Sequence, residues 1–409
     1  MRDAVQRVLM DLIRFPSTRG SEGPAIRYLA EQMQPLVDEC VIVPIDDSLI
    51  EDSDYAFPLP GHTHRDAPNL ECRMRGQGGG RTIVFNTHLD VVPPSEGQEA
   101  AFEPRAEGGV VYGRGACDAK GQAAMLFALA QLLREQPRPL KGDVIFHFVA
   151  EEENGGNGSL ALVRRGVKAD AAVVAEPTDL AVAAAVRGAV WFELRVSGRA
   201  GHSGSVAGRI SAVDQAIEAI RILTGYHDRL LAGSRHLPLF GEFSDPMPLT
   251  VGQFSAGRWP ASVPSEAIVR GVLGFLPNTN RHTVMREMRA ALQAEGDAWL
   301  REHFELAFPM LHSDGNMLPL DHPLVGALRT AVQRQGLPGR ITALTGSTDA
   351  WLYQNVAGVP TVVFGPGSLA HAHARDEQVR LDDILTAASA LADFVADYGQ
   401  GASGQSSWL

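Results

Sequence analysis

Short apolar runs that end in polar residues dominate the first part of the chain. TIVFNTHLDVV (82–92) and GDVIFHFVA (142–150) are almost continuously apolar, and a helical pattern after Lys120 separates them. Strands of this kind that alternate with helices are typical of a largely parallel sheet with helices on its faces. The sequence therefore predicts an α/β domain whose mostly parallel sheet is covered by helices.

The pattern changes at about residue 187, where half-buried strands and amphipathic helices begin. They follow one another in the order β-α-β-β-α-β, which is typical of the ferredoxin-like arrangement. The α/β pattern returns in the last part of the chain. We therefore predict a catalytic domain formed by residues 1–186 and 307–409, with an inserted ferredoxin-like α+β domain at 187–306.

The composition limits the classes of partner. A chain of 409 residues with 45% hydrophobic residues exceeds the usual size of one domain and can form sizeable cores. Its formal net charge of −12 argues against nucleic acid and against an anionic membrane surface, because both favour basic patches. The N-terminal segment is too polar for a signal peptide, and the most apolar stretch, AAMLFALAQLL (123–133), is too short to span a bilayer. We expect a cytoplasmic enzyme that acts on a small molecule.

Histidine and carboxylate residues collect near the ends of the predicted strands. Singly, each has an ordinary explanation: a hydrogen-bonded histidine, an aspartate in a turn, or a solvated run of glutamates. The loops after several strands of one parallel sheet meet at its carboxyl edge, however, so these side chains are expected to lie together. Histidines mixed with carboxylates form the ligand set of a two-metal hydrolytic site. The residues concerned are His88, Asp90, Asp118, Glu151, Glu152, Glu153, Glu176, His371 and His373.

Several motifs occur in an order that resembles a known family. They are THLDVVP, GRGACDAKG, FVAEEENGG, EPT, GHSG and FGPG…AHARDE. The set is similar to that of the di-zinc amidohydrolases and exopeptidases, which include acetylornithine deacetylase, succinyl-diaminopimelate desuccinylase, aminoacylase and carboxypeptidase G. The resemblance spans nearly the whole chain. It implies that the inserted domain is a lid through which a homodimer forms.

The resemblance also implies a metal-binding role for most of these residues. Two divalent cations, zinc by preference with manganese or cobalt as alternatives, would share the carboxylate of Asp118. The remaining ligands would be His88 and Glu176 for one cation, and Glu153 and His373 for the other. His373 fits better than His371 because the family motif runs from histidine to glutamate over four positions, here to Glu377.

The implied reaction is metal-assisted hydrolysis of an amide bond. Glu152, the middle residue of the acidic triplet, would act as general base on water and return the proton to the leaving amine. Asp90 would orient His88, since a metal-binding histidine donates its second ring N–H to a carboxylate. His202 of the GHSG motif would stabilise the oxyanion by reaching from the lid of one subunit to the site of its partner.

Three departures from the family pattern concern the substrate. Trp351 stands where an arginine is common, Gly274 stands where an Asp-x-Arg is common, and the loop RWPASVP lacks an asparagine. Arginines bind carboxylates in a bidentate manner, so their absence weakens the case for an ordinary α-carboxylate substrate. Trp351 either stacks on an aromatic or apolar group of the substrate or is a packed core residue. The candidates for a compensating arginine are Arg258, Arg270 and Arg340.

These observations predict a metallohydrolase that cleaves the amide bond of a small N-acylated compound. The main prediction is an N-acyl amino acid deacylase of the acetylornithine deacetylase type. A dipeptidase or carboxypeptidase-like metallopeptidase and a hydrolase of an aromatic amide or amine remain alternatives. A single-metal hydrolase also remains open. A protein that uses the scaffold only for binding is disfavoured, because all the implied ligands and the base are present.

Overall fold

The computed structural model describes residues 1–204 and 208–401. Its α-helices are, in chain order, α1 (Arg2–Ile13), α2 (Gly23–Met33), α3 (Lys120–Glu135), α4 (Asn157–Arg164), α5 (Ala212–Ser234), α6 (Arg281–Glu295), α7 (Ala298–Glu302), α8 (Pro323–Arg334) and α9 (Leu381–Tyr398). Its strands are β1 (Glu39–Val43), β2 (Asn69–Met74), β3 (Ile83–His88), β4 (Arg105–Glu107), β5 (Val110–Tyr112), β6 (Val144–Val149), β7 (Ala171–Val174), β8 (Val182–Val186), β9 (Gly188–Ser197), β10 (Gly201–His202), β11 (Leu249–Ala256), β12 (Ser262–Val263), β13 (Glu266–Phe275), β14 (Phe304–Ala307), β15 (His312–Ser313), β16 (Asn316–Met317), β17 (Ile341–Leu344), β18 (Thr361–Val363) and β19 (Gln378–Arg380). The chain divides into two compact units.

Unit 1 is formed by Met1–Tyr55, Leu59–Val186 and Asn316–Leu409 and is built around a nine-stranded sheet. The strand order is β1-β2-β6-β3-β7-β18-β8-β16, and β17 pairs with β8. The centre, β6-β3-β7-β18, is parallel, whereas β1, β2 and β16 join the sheet in antiparallel pairs. The predicted α/β class with a large, mostly parallel sheet is therefore confirmed, with antiparallel strands towards both edges.

The central strands, which are apolar in sequence, lie in the interior of unit 1. Every residue of β3 and β6 is buried, as expected for strands inside a parallel sheet. The stretch predicted to be too short for a bilayer lies in α3, where residues 123–130 are all buried in the core. In the described part of the chain, no helix is both long enough and apolar enough to cross a membrane.

The ends of the central strands lie in register. In the parallel pairs, His88 is opposite Val149, and Asn86 and Val363 are both opposite Val174. β3, β6, β7 and β18 therefore end at the same edge of the sheet. The loops that follow them carry most of the residues predicted to bind metal.

Unit 2 is formed by Ala56–Pro58 and Arg187–Gly315. Its five-stranded antiparallel sheet has the order β11-β13-β9-β14, with β15 also paired to β9. Alternate residues of β9, such as Phe192 and Leu194, pack with α5 and α6 in a buried cluster, while Trp191, which precedes Phe192, is 39% exposed. Its main elements follow one another in the order β9, α5, β11, β13, α6 and β14, and the unit ends at Gly315. The inserted domain at 187–306 stays a prediction.

Candidate metal centre

His88 is the last residue of β3 and is buried. Its Nδ1–H donates to the backbone carbonyl oxygen of Asp90 at 2.9 Å, and Oδ1 of Asp90 lies 3.5 Å from the same nitrogen. The second ring nitrogen, Nε2, therefore faces Asp118, whose Oδ1 lies 2.9 Å away. A ring held through Nδ1 presents Nε2 to a metal ion.

Asp118 lies between two histidines in the loop that precedes α3. Its Oδ1 faces His88, as described above, and its Oδ2 lies 3.4 Å from Nε2 of His373. The peptide bond between Asp118 and Ala119 is cis. A carboxylate whose two oxygens face two different imidazoles has the geometry needed to bridge two cations.

Glu153 and His373 form the other end of this arrangement. Nε2 of His373 lies 2.9 Å from Oε1 of Glu153. His373 belongs to the loop between β18 and β19 and has a φ of 58°, a conformation that is uncommon for residues other than glycine. Candidate ligand atoms of His88, Asp118 and Glu153 all lie within 4.8 Å of one another.

Glu152 and Glu176 complete the group on the side of His88. Oε2 of Glu152 and Oε2 of Glu176 each lie 4.0 Å from Nε2 of His88. All the residues that contact one another here belong to unit 1. The structure thus brings together six of the residues predicted from the sequence: His88, Asp118, Glu152, Glu153, Glu176 and His373.

The electrostatics of this group favour bound cations. Burial raises the pKa values of Glu152 and Glu176 well above their usual range, and nearby carboxylates raise them further. Burial and then Asp118 also raise the pKa of Glu153. Burial alone would lower the pKa of His88, but hydrogen bonds to Asp118 and Asp90 raise it well above its usual value. Positive charge is therefore stabilised here, and a divalent cation supplies it without a proton.

The carboxylate of Asp90 makes contacts that the sequence did not indicate. It is fully buried and accepts hydrogen bonds from the backbone N–H of Glu152 at 3.1 Å and of Glu153 at 3.0 Å. The carboxylate therefore fixes the backbone that presents both glutamates.

Glu377 and Arg114 form a buried pair that the sequence analysis missed. One oxygen of Glu377 accepts from the backbone N–H groups of Cys117 and Asp118, both at 3.0 Å, and the other accepts from Arg114. Arg114 also donates to Ser95 Oγ at 2.8 Å, and Ser95 Oγ donates to the carbonyl oxygen of His373 at 2.8 Å. The pair links the loop of Asp118 to the loop of His373. In the sequence, Arg114 and Glu377 belong to the motifs GRGACDAKG and AHARDE, which also contain the predicted ligands Asp118 and His373.

The remaining candidates lie elsewhere. His202 is an exposed residue of β10 in unit 2, where its Nδ1 accepts from the backbone N–H of Gly204 at 3.1 Å. Arg258 is exposed in the loop after β11, and Arg270 binds Glu193 through Nε at 2.6 Å. Trp351 is only 2% exposed and packs in a core cluster of unit 1, which favours the second of the two interpretations offered for it, a packed core aromatic.

The chain matches a family model and curated relatives over most of its length. The model of peptidase family M20/M25/M40 matches residues 84–397. N-formyl-4-amino-5-aminomethyl-2-methylpyrimidine deformylase of Bacillus subtilis is 28% identical over 362 residues, which cover 81% of this chain and 83% of that protein. Succinyl-diaminopimelate desuccinylase of Methylocella silvestris is 30% identical over 360 residues, covering 81% of this chain and 86% of that protein.

Solved structures agree with these matches at the level of the fold. A tripeptidase from Staphylococcus aureus superposes with a TM-score of 0.77 at 18% sequence identity, covering 98% of this chain and 99% of that one. The family match extends over more than half of the chain and includes the strand ends that carry the buried carboxylates and histidines. The predicted resemblance is thus confirmed, and the chain belongs to peptidase family M20/M25/M40, whose members hydrolyse amide C–N bonds.

Proposed function

We propose that the protein is a metal-dependent hydrolase that removes the acyl group from the nitrogen of a small N-acylated compound, with an N-acyl amino acid as the main candidate. The observation that carries this proposal is the position of Asp118, whose two oxygens lie 2.9 Å and 3.4 Å from two different histidines, with Glu152 beside them. The names of two relatives, a deformylase and a desuccinylase, support removal of an acyl group.

The donor atoms suit two divalent cations. Imidazole nitrogens and carboxylate oxygens in a buried site fit zinc, and manganese or cobalt accept the same donors. His88, Asp118 and Glu176 would hold one cation, and Asp118, Glu153 and His373 the other. Bound in this way, two cations would lower the pKa of a water molecule towards neutrality and polarise the substrate carbonyl group.

Glu152 would transfer the proton. It is buried within the group of carboxylates, and burial raises its pKa well above its usual range. A carboxylate with a raised pKa accepts a proton from water more readily and can deliver it to the leaving amine in the next step. Asp90 would hold Glu152 in place through the backbone hydrogen bond described above.

Unit 2 would supply further functions. We assign it the role of lid and dimerisation domain, with His202 as the donor that stabilises the oxyanion, an interaction that contributes roughly 3–4 kcal/mol at such sites. The exposed position of His202 on β10 and the exposed Trp191 on the open face of the sheet support these assignments. The cytoplasmic location stays a prediction.

Two alternative substrates have separate support. The name of the Bacillus subtilis relative points to the N-formyl derivative of a heteroaromatic amine, a substrate that needs no arginine for an α-carboxylate. Burial of Trp351 means that this alternative does not depend on stacking by that residue. A dipeptidase or carboxypeptidase activity is the secondary alternative, supported only by the family name and by the fold of the tripeptidase.

The proposal is tested by measuring amine release from a panel of N-acetyl, N-formyl and N-succinyl amino acids, with an N-formyl aminomethylpyrimidine and dipeptides alongside. The protein is first depleted of metal and then reconstituted with zinc, manganese or cobalt. Turnover that requires metal and disappears in Glu152→Gln supports the proposal, and the preferred compound identifies the substrate class. Absence of turnover on every compound by the folded, metal-loaded protein would refute it.

A further inference from the structure

A second group of histidine and carboxylate side chains lies beside the first residue of the acidic triplet. Candidate ligand atoms of His62, His64 and Glu151 all lie within 4.8 Å of one another. All three residues belong to unit 1, and none of them takes part in the hydrolysis proposed above. The question is what holds two imidazoles around this carboxylate.

Glu151 is fully buried and has a φ of 58°, two residues after the end of β6. One of its carboxylate oxygens contacts Nε2 of His62. The other accepts from Nδ2 of Asn157 at 2.8 Å and lies 3.9 Å from Nε2 of His64. The backbone therefore turns Glu151 away from Glu152 and Glu153 and towards the two histidines.

His64 is oriented in the manner of a metal ligand. Its Nδ1 lies 3.0 Å from Oδ1 of Asp47, and the backbone N–H of His64 donates to the same oxygen at 2.8 Å. A carboxylate that accepts from Nδ1 leaves Nε2 with its lone pair, which is the arrangement found for many histidines that bind metals. Nε2 faces Glu151 and lies 3.1 Å from the hydroxyl group of Tyr55. The side chain of His64 is only 2% exposed, so this orientation is enforced by its surroundings.

The separation between His64 and Glu151 fits a cation after a small movement, and the direct contact between His62 and Glu151 would open to admit the ion. Ligand atoms at about 2.0–2.1 Å from a tetrahedral zinc ion lie roughly 3.4 Å apart. The separation of 3.9 Å between His64 Nε2 and Glu151 Oε2 exceeds this by about half an ångström, within the reach of side-chain rotation. Two imidazoles and one carboxylate also form a donor set that suits divalent transition metals.

We infer that His62, His64 and Glu151 form a third divalent cation site, separate from the pair of cations shared by Asp118. A cation there ties the segment around His62 and His64 to the turn that carries the general base. The site is weaker than the dinuclear one, because the guanidinium group of Arg19 lies 3.6 Å from Glu151 Oε2 and its positive charge opposes a cation. The competing explanation is an ion pair in which Arg19 and His62 satisfy Glu151 without metal.

Counting bound zinc distinguishes the two explanations. The metal-depleted full chain is equilibrated with a series of buffered zinc concentrations, and zinc per chain is measured by mass spectrometry for the wild type, for His62→Ala/His64→Ala and for the control His282→Ala. His282 is exposed at the start of α6 in unit 2. We expect one ion fewer per chain in the double variant at saturation and no change in the control. This difference does not depend on how many ions the other site holds, so it is independent of the proposed function.

Two results would overturn the inference. An equal zinc count in the wild type and the double variant would show that Arg19 and His62 alone balance Glu151. A loss of two or more ions would show that the histidines support the dinuclear centre and hold no ion of their own. If the double variant does not fold, as judged by circular dichroism, His62→Ala replaces it, because that side chain is 11% exposed and lies in a loop. The single variant is then expected to bind the weakest ion at least about tenfold less tightly, and unchanged binding of all ions would refute the site.

Discussion

The three glutamates of the acidic triplet belong to two different clusters. Glu152 and Glu153 lie among further carboxylates, so that acidic groups outnumber the imidazoles around them. Glu151 lies between His62, His64 and Arg19, so its nearest partners carry or can acquire positive charge. Identical neighbours in sequence thus experience opposite electrostatic surroundings. The backbone at Glu151 and the two N–H groups held by Asp90 produce this difference.

The largest expected effect is the loss of kcat when Glu152, the proposed general base, is replaced. Replacing Glu152 by glutamine removes the proton acceptor while retaining the shape of the side chain, and kcat should fall by about a thousandfold. Steady-state kinetics on the best substrate of the panel would measure this. Zinc content should stay unchanged, and Glu107→Gln, at an exposed position of β4, serves as the control. Retention of more than about a tenth of wild-type kcat would remove Glu152 from the role of base.

The next effect concerns the support of the carboxylate cluster. Glu377→Gln removes the negative charge of this side chain. It therefore weakens the contact with Arg114 and the hydrogen bonds accepted from the N–H groups of Cys117 and Asp118. Because groups that orient ligands contribute about 10- to 100-fold to metal affinity, binding of the cation nearest His373 should weaken by that factor. Isothermal titration with zinc would measure it, with the exposed neighbour Asp376→Asn as the control. Equal affinities in the two variants would show that the pair only stabilises the loops.

The buried acid Glu22 interacts electrostatically with a residue of each cluster, so the pH dependence of stability tests its surroundings. Glu22 is fully buried; burial, with further contributions from Asp90 and Glu151, raises its pKa to about 9 from 4.5. Between these values the folded protein keeps a proton that the unfolded chain loses, so the contribution of Glu22 to stability is lost as the pH rises.

Glu22→Gln stays neutral at every pH and should gain stability relative to the wild type as the pH increases from 5 to 8. The gain is at most about 1.4 kcal/mol for each pH unit. Urea unfolding of both proteins at several pH values would measure it. A stability difference that does not change with pH would mean that Glu22 ionises as it does in the unfolded chain.

The smallest expected effect is on zinc binding by His62, His64 and Glu151. Asp47 orients His64, but its side chain is 60% exposed and water screens its charge. Asp47→Asn should therefore lower the affinity of the proposed third site for zinc only about threefold. This is far less than the loss of affinity that Glu377→Gln should cause for the cation nearest His373. Competition with a fluorescent zinc chelator would resolve such a change. If Asp47→Asn lowered zinc affinity as much as Glu377→Gln does, the difference in exposure between Asp47 and Glu377 would not explain how much each contributes to zinc binding.

The parts of the molecule that could be predicted from the sequence depend on short-range patterns. The apolar runs of β3 and β6 predicted buried parallel strands, and the polar residues at their ends predicted where His88 and the triplet lie. The relation between Arg114 and Glu377 could not be predicted, because these residues are far apart in sequence and meet only after the sheet forms. His62 and His64 were missed because their segment has no periodic pattern, although the H-x-H spacing itself is visible.

The two ends of the proposed metal centre differ in how firmly the fold holds them. His88 belongs to a central strand whose amide protons should exchange with solvent only when unit 1 opens globally. The side chain of His373 is 49% exposed and belongs to a loop, which can open without disturbing the sheet. In hydrogen-exchange experiments the loop should therefore lose protection well before β3 does. Gentle chelation should likewise first produce a form that retains only the cation beside His88.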